Sequence, residues 1–207
     1  MSQPARNRIV LAVTGASGMA YAETLAGYLQ NFCELHLIVS QAGWLVWNQE
    51  LGLPQESLLG KAHCSYAQDD LAAPPASGSW QHQGMVVCPC SMASLAAIAH
   101  GLGNNLIHRA ADVTLKERRP LVLVARETPL NAIHLENMLA ATRAGAVVMP
   151  ASPGFYHRPR TLQELVDQLA GRILDALRID HSLTPRWGEQ HNVAPSSRAI
   201  TVGLAGE

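Results

Sequence analysis

Leu121-Val122-Leu123-Val124-Ala125 is a run of five apolar residues without a polar interruption, set between Pro120 and Arg126. A strand that faces water on one side alternates, whereas an unbroken run needs cover on both faces. Arg8 to Val13, Glu34 to Val39, Met85 to Cys88 and Ala146 to Met149 read as further short strands, each followed by a turn. Helical stretches lie between them: Met19 to Gln30, Gln41 to Glu50, Ser91 to His100, Arg109 to Arg119 and Ala132 to Arg143. Thr161 then caps a last helix from Leu162 to Leu177. Five strand–helix alternations predict a single α/β domain with a doubly wound, mainly parallel sheet and helices on both faces. Residues 1–180 form that domain, and residues 181–207 read as a partly ordered tail carrying Arg186-Trp187-Gly188.

Between Leu51 and Gln83 the pattern lapses. Pro54, Pro74, Pro75 and Ala76-Ser77-Gly78-Ser79 predict a surface excursion, either a binding loop or an ordinary connection. Only 15% of residues are charged and 48% are hydrophobic, so much of the surface is expected to be covered, by helices or by other subunits. A net charge of −1 gives no basic field for nucleic acid, so any affinity for anions must be local. No apolar stretch approaches membrane-spanning length, and MSQPARNRIVLAV enters a glycine turn instead of a cleavage site. Cys33, Cys64, Cys88 and Cys90 form no disulfide ladder, which makes a cytoplasmic protein the expectation. Cys88-Pro89-Cys90 lacks the spacing of a zinc pair or a redox CxxC, so no metal is expected and both thiols read as buried packing groups.

Local anion sites are easy to find. Thr14-Gly15-Ala16-Ser17-Gly18 joins the first strand to a helix and offers free backbone N–H groups at a helix start, although such turns also serve close packing. Ser40 ends the second strand where a dinucleotide enzyme would carry Asp or Glu, which argues against NAD and leaves room for a mononucleotide. Ser91 is a plausible N-cap whose hydroxyl, with that of Ser94, would face a ligand. Arg109 and Lys116 share a helix face about two turns apart. Arg126-Glu127-Thr128-Pro129 follows a strand at its carboxyl end, where open sheets bind ligands. Cations beside an Arg-Glu pair suit a phosphorylated substrate with an acid or base at hand; a solvated helix end and a capping turn are the plainer alternative. Trp44 and Trp47 read as core or subunit contact. Pro150 to Pro159 forms a rigid loop presenting Tyr156 and Arg158.

Taken together, TGASG, CPCS, the ADVTLKERRPLVLVARETP block, GAVVMPASPGFYHRP and RWGEQH resemble the flavin prenyltransferase family from residue 8 to about 191. The resemblance implies a Rossmann-like flavoprotein that joins the dimethylallyl group of dimethylallyl phosphate to N5 and C6 of reduced FMN without a metal. The prenylated flavin would serve a separate UbiD-type decarboxylase, in many bacteria on the ubiquinone pathway, and the assembly would be a homododecamer. By the same resemblance Gly15, Ala16, Ser17, Ser40, Ser91, Ser94 and Arg126 contact FMN. Arg109, Lys116, Arg126, Tyr156 and Arg172 surround the prenyl phosphate. Glu127 helps the phosphate leave, and Ser17 and Glu50 handle protons near N5 and C6. The chain departs from many relatives at Met19, Gln41 and the aromatic Trp44/Trp47 helix, and its middle excursion looks shorter; Met19 and the tryptophans are expected near the mouth of the site. Two rival classes are a flavin-dependent cysteine decarboxylase, whose catalytic His is not matched by His36, and a non-catalytic flavin carrier.

Overall fold

The computed structural model describes residues 7–184 and 186. Trp187 and Gly188 of the predicted tail motif lie outside them. A six-stranded sheet forms the centre, built from β1 (Arg8–Val13), β2 (Glu34–Val39), β3 (Cys64–Ala67), β4 (Gly84–Cys90), β5 (Leu121–Ala125) and β6 (Val147–Pro150). Every adjacent pair is parallel and the order is β3-β2-β1-β4-β5-β6. The order reverses between β1 and β4, which places a topological switch point there.

The helices are α1 (Met19–Leu29), α2 (Gln41–Leu51), α3 (Glu56–Leu59), α4 (Met92–Ala99), α5 (Leu106–Lys116), α6 (Ala132–Arg143) and α7 (Leu162–Ala176). Alternate β1 residues divide between two cores. Ile9, Leu11 and Val13 pack with Leu25 and Leu29 of α1 and Leu169 and Ile173 of α7. Val10 and Ala12 pack with Leu95 of α4, Ile107 of α5 and Ala141 of α6. All five residues of β5 are buried, as an unbroken apolar run covered on both faces requires.

Three expectations need correction. The excursion from Leu51 to Gln83 is not irregular throughout: it contains α3, the edge strand β3 and a 3-10 turn at Pro74–Ala76. β3 pairs with β2 from His36↔Cys64 to Val39↔Ala67, but four residues alternating half-buried and exposed give too short a period-2 signal to read. β4 is not broken at Cys88; it runs to Cys90 through Pro89, with the β4–β5 register shifting between Val87 and Cys90. The α5 helix begins at Leu106, capped by Asn105, and ends at Lys116, before Arg118 takes a left-handed conformation at φ 55°.

The substituted positions also find their places. Met19 is fully buried in the first core, not at the mouth of the site. Trp47 is buried there too, its Nε1 donating to Leu53 O at 3.0 Å, and Trp44 meets it edge-on with centroids 6.2 Å apart.

Candidate functional site

In this sheet the loops after β1, β2, β4, β5 and β6 gather along one edge, the carboxyl ends of the strands. After β1, Gly18 has φ 115°, a conformation open to glycine, and begins α1 without a side chain to cap it. The cap comes from α2. Glu50 accepts hydrogen bonds from Gly18 N–H at 2.9 Å and Met19 N–H at 2.8 Å. Burial would raise its pKa, but the Ser17 hydroxyl, these two amides and the positive charge of Arg126 together lower it. Ser17 and Glu50 from the β1 and β2 segments thus meet within the field of Arg126 from β5. The helix start read as open to phosphate already holds a carboxylate at its first two amides, which corrects that expectation. In the preceding segment Ala16 N–H donates to Thr14 O at 2.8 Å.

Gly15 is packed tightly against α2. A Cβ there would stand 2.5 Å from Ala42 Cβ, so the first turn of α2 rests directly on this loop. Ser40 caps that helix, its Oγ accepting from Gly43 N–H at 2.9 Å. Ser91 caps α4 in the same way, accepting from Ser94 N–H at 3.3 Å. Ser94 is buried, and its hydroxyl is 3.3 Å from His108 Nε2 on α5. Burial lowers the pKa of His108, so it is a neutral partner that sequence reasoning passed over.

Arg126 is half-buried at the carboxyl end of β5, and among the described residues its buried Nε has no hydrogen-bond partner. A guanidinium N–H left unfilled at a strand end suits an anionic or carbonyl ligand, since buried donors are otherwise satisfied. Glu127 beside it is exposed and accepts from Thr128 N–H at 3.0 Å. Tyr156 is exposed in the loop after β6, whose Gly154 N–H donates to Gln168 Oε1 at 3.1 Å. Arg158 has φ 53°.

Lys116 and Arg172 are not brought to this edge. Lys116 ends α5 and pairs with Glu117 beside Gly78. It therefore lies near Pro120, where β5 begins, and the five residues of β5 span about 17 Å before Arg126. Arg109 lies on the same face of α5, bonded to Asp112 at 2.9 Å and to Ala76 O at 3.3 Å. Arg172, on the lower half of α7, bonds Asp175 at 2.8 Å; Asp175 also receives Arg186 at 3.2 Å and His181 at 3.1 Å. Within one chain, Ser17, Glu50 and Arg126 come together, while Lys116 and Arg172 stand apart from them.

Cys88 and Cys90 are buried free thiols; burial raises both pKa values, that of Cys90 to about 12. Among the described residues no group of three or more His, Cys, Asp or Glu is placed to hold a metal ion, and no helix is long and apolar enough to cross a membrane. Two grooves at the opposite, amino-terminal edge of the sheet, lined by Asn7, Phe32 and Cys33, contain none of the predicted site residues.

Residues 2–176 match the family model described as Flavoprotein. The flavin prenyltransferase UbiX of Pseudomonas aeruginosa is 49% identical, over 94% of this chain and 99% of its own. The mitochondrial flavin prenyltransferase PAD1 of Saccharomyces cerevisiae is 46% identical, over 90% of this chain and 77% of its own. A crystal structure of AnUbiX (PadA1) in complex with FMN and dimethylallyl pyrophosphate superposes with a TM-score of 0.86 at 45% identity, covering 88% of this chain and 97% of that one. A dodecameric FMN-dependent UbiX-like decarboxylase from Escherichia coli O157:H7 gives 0.84 at 39% identity, covering 87% and 98%. A PPC decarboxylase mutant, at 19% identity and a TM-score of 0.59, shares the fold alone.

Proposed function

The chain belongs to the flavin prenyltransferases of the Flavoprotein family, and we propose from that premise that it joins the dimethylallyl group of dimethylallyl phosphate to N5 and C6 of reduced FMN. The observation that carries this reading is the meeting of Ser17, Glu50 and Arg126 at the carboxyl edge, with Arg126 Nε unfilled. Reduced FMN, when bound, supplies the nucleophilic atoms, so no protein nucleophile is needed. Gly15, Ala16, Ser17, Ser40, Ser91, Ser94 and Arg126 hold the flavin. Glu50, ionised and hydrogen-bonded, is an acceptor for a proton passed through the Ser17 hydroxyl.

An allylic phosphate leaves when cations and a proton donor meet the charge growing on its oxygens. Arg126 offers a fork for that charge, Tyr156 a hydroxyl, and Glu127 the proton. Arg109, Lys116 and Arg172 supply further cations from a second copy of the chain. Two facts support that assignment: Lys116 lies a strand's length from Arg126 within one chain, and a similar protein is dodecameric. Exposed Leu130, Ile133, Leu135 and Leu139 on and before α6, beside the exposed Val147 of edge strand β6, provide apolar surface for such an assembly.

The domain is assigned to residues 1–180 and the tail to residues 181–207, of which 1–6, 185 and 187–207 lie outside the described residues. The protein works in the cytoplasm as a homododecamer and hands its product to a UbiD-type decarboxylase. Anaerobic incubation with reduced FMN and dimethylallyl phosphate, followed by mass analysis of the extracted flavin, tests the reaction. A flavin heavier by one five-carbon unit is expected. Unmodified FMN with either the monophosphate or the diphosphate would replace this reading with that of a flavin carrier.

A further inference from the structure

Thr14 is the last residue before the Gly15–Ser17 loop, and it is almost wholly buried. The β1–β4 pairing runs from Ile9↔Gly84 to Ala12↔Val87 and goes no further as a regular ladder. Beyond it, Thr14 makes the connection. Its N–H donates to Pro89 O at 3.2 Å, its hydroxyl donates to the same carbonyl at 2.8 Å, and Ser91 N–H donates to its Oγ1 at 2.8 Å.

We propose that Thr14 is a positioning residue for flavin binding, its hydroxyl setting the distance between the Gly15–Ser17 loop and the Ser91 helix start across the switch point. Ser91 caps α4 and Ser94 lies in its first turn, so the bond to Ser91 N–H sets the orientation of both hydroxyls. The position needs one atom that donates and accepts at once, between the buried Pro89 carbonyl and the half-buried Ser91 amide. A hydroxyl does this; a methyl group of the same size does not, and it leaves Ser91 N–H without its acceptor. The inference rests on the reading that these two segments contact FMN from either side of the crevice.

The test compares T14V and T14S with the wild-type protein by FMN titration, with far-UV circular dichroism and native mass to confirm folding. T14V is expected to weaken FMN binding roughly tenfold or more, the effect of losing one buried hydrogen bond, and T14S to stay within about threefold of wild type. In turnover the loss appears in KM for FMN, with kcat at saturating flavin retained; a general loss of structure would lower kcat through the active fraction. Wild-type affinity in a folded T14V, or equal weakening in T14S, overturns the proposal. If T14V does not fold, T14A takes its place under the same criteria. Failure of both to fold also overturns it, making the hydroxyl a requirement of the fold instead of the flavin crevice. Because the primary readout is FMN affinity, a wild-type protein that binds FMN but transfers no prenyl group refutes the proposed reaction without deciding the role of Thr14.

Discussion

The carboxylate of Glu50, at the end of α2, is 2.8 Å from the amide nitrogen of Met19 at the start of α1. It joins two helices that β2 separates along the chain, and it brings a negative charge to a helix N-terminus, where the dipole favours one. The same carboxylate lies beside Ser17 and within the field of Arg126, so one side chain both caps a helix and faces the proposed flavin crevice.

Replacing it separates those roles. E50A is expected to cost about 1 kcal/mol through the lost cap, lowering Tm by roughly 2–4 °C in a domain of this size. E50Q keeps an acceptor for the Met19 amide, loses the proton acceptor, and is expected to slow prenyl transfer about a hundredfold while Tm falls less than in E50A. Equal Tm losses with equal turnover in the two variants would restrict Glu50 to capping. Differential scanning fluorimetry and single-turnover flavin mass analysis make the comparison.

Lys116 and Glu127 belong to opposite ends of β5 within a chain. K116A should cripple use of the prenyl phosphate while FMN stays bound, and E127Q should slow transfer with little loss of affinity. If the two act across a subunit contact, refolding the variants together should restore part of the turnover, because some sites then receive both native side chains. Mixed assemblies no more active than either parent would place both residues in one chain's site.

Trp47 is the largest fully buried side chain of the first core, and it also satisfies Leu53 O. W47A is expected to cost about 3–5 kcal/mol, by lost burial and the cavity left behind. W44A, at a half-buried position, should cost distinctly less. Urea unfolding at equal protein concentration measures both.

His36 and His82 give a pH dependence remote from the site. His36 stacks on Tyr66 and meets Trp80 edge-on at 4.7 Å, and His82 Nδ1 lies 3.1 Å from Gly84 O. Burial pushes both pKa values down to about 4. Since the unfolded chain binds these protons from about pH 6.5, the stability they contribute is complete above that pH and is lost as pH falls toward 4. Tm should therefore drop by roughly 5 °C or more between pH 6.5 and 4.5, and H36F should flatten that slope if it folds. An unchanged slope in H36F would remove His36 from the effect.

How much of this was present in the one-dimensional chain differs by element. The apolar runs at β1, β2 and β5, the caps Ser91 and Thr161, and the α6 boundaries were legible because each depends on neighbours a few residues away. β3 escaped notice because an edge strand of four residues is stabilised by pairing with β2, not by its own pattern. The candidate site residues stood out by type, as hydroxyls, cations and carboxylates at strand ends, and through family motifs. Their arrangement did not, because it depends on contacts distant in sequence.

The order of short buried runs and helices by itself determined a parallel sheet covered on both faces, since such runs have no other way to leave water. The sequence also settled the chemistry available: hydroxyls, cations and carboxylates at strand ends, with nothing spaced as a metal pair. Only the tertiary structure decided that Glu50 caps α1, that Thr14 bridges to Pro89 and Ser91, and that Lys116 stands at the far end of β5 from Arg126. The physical reason is directional. A hydrogen bond needs its two groups within about 3 Å and aligned, and residues 32 or 77 positions apart meet that condition only after the sheet has set the positions of its loops.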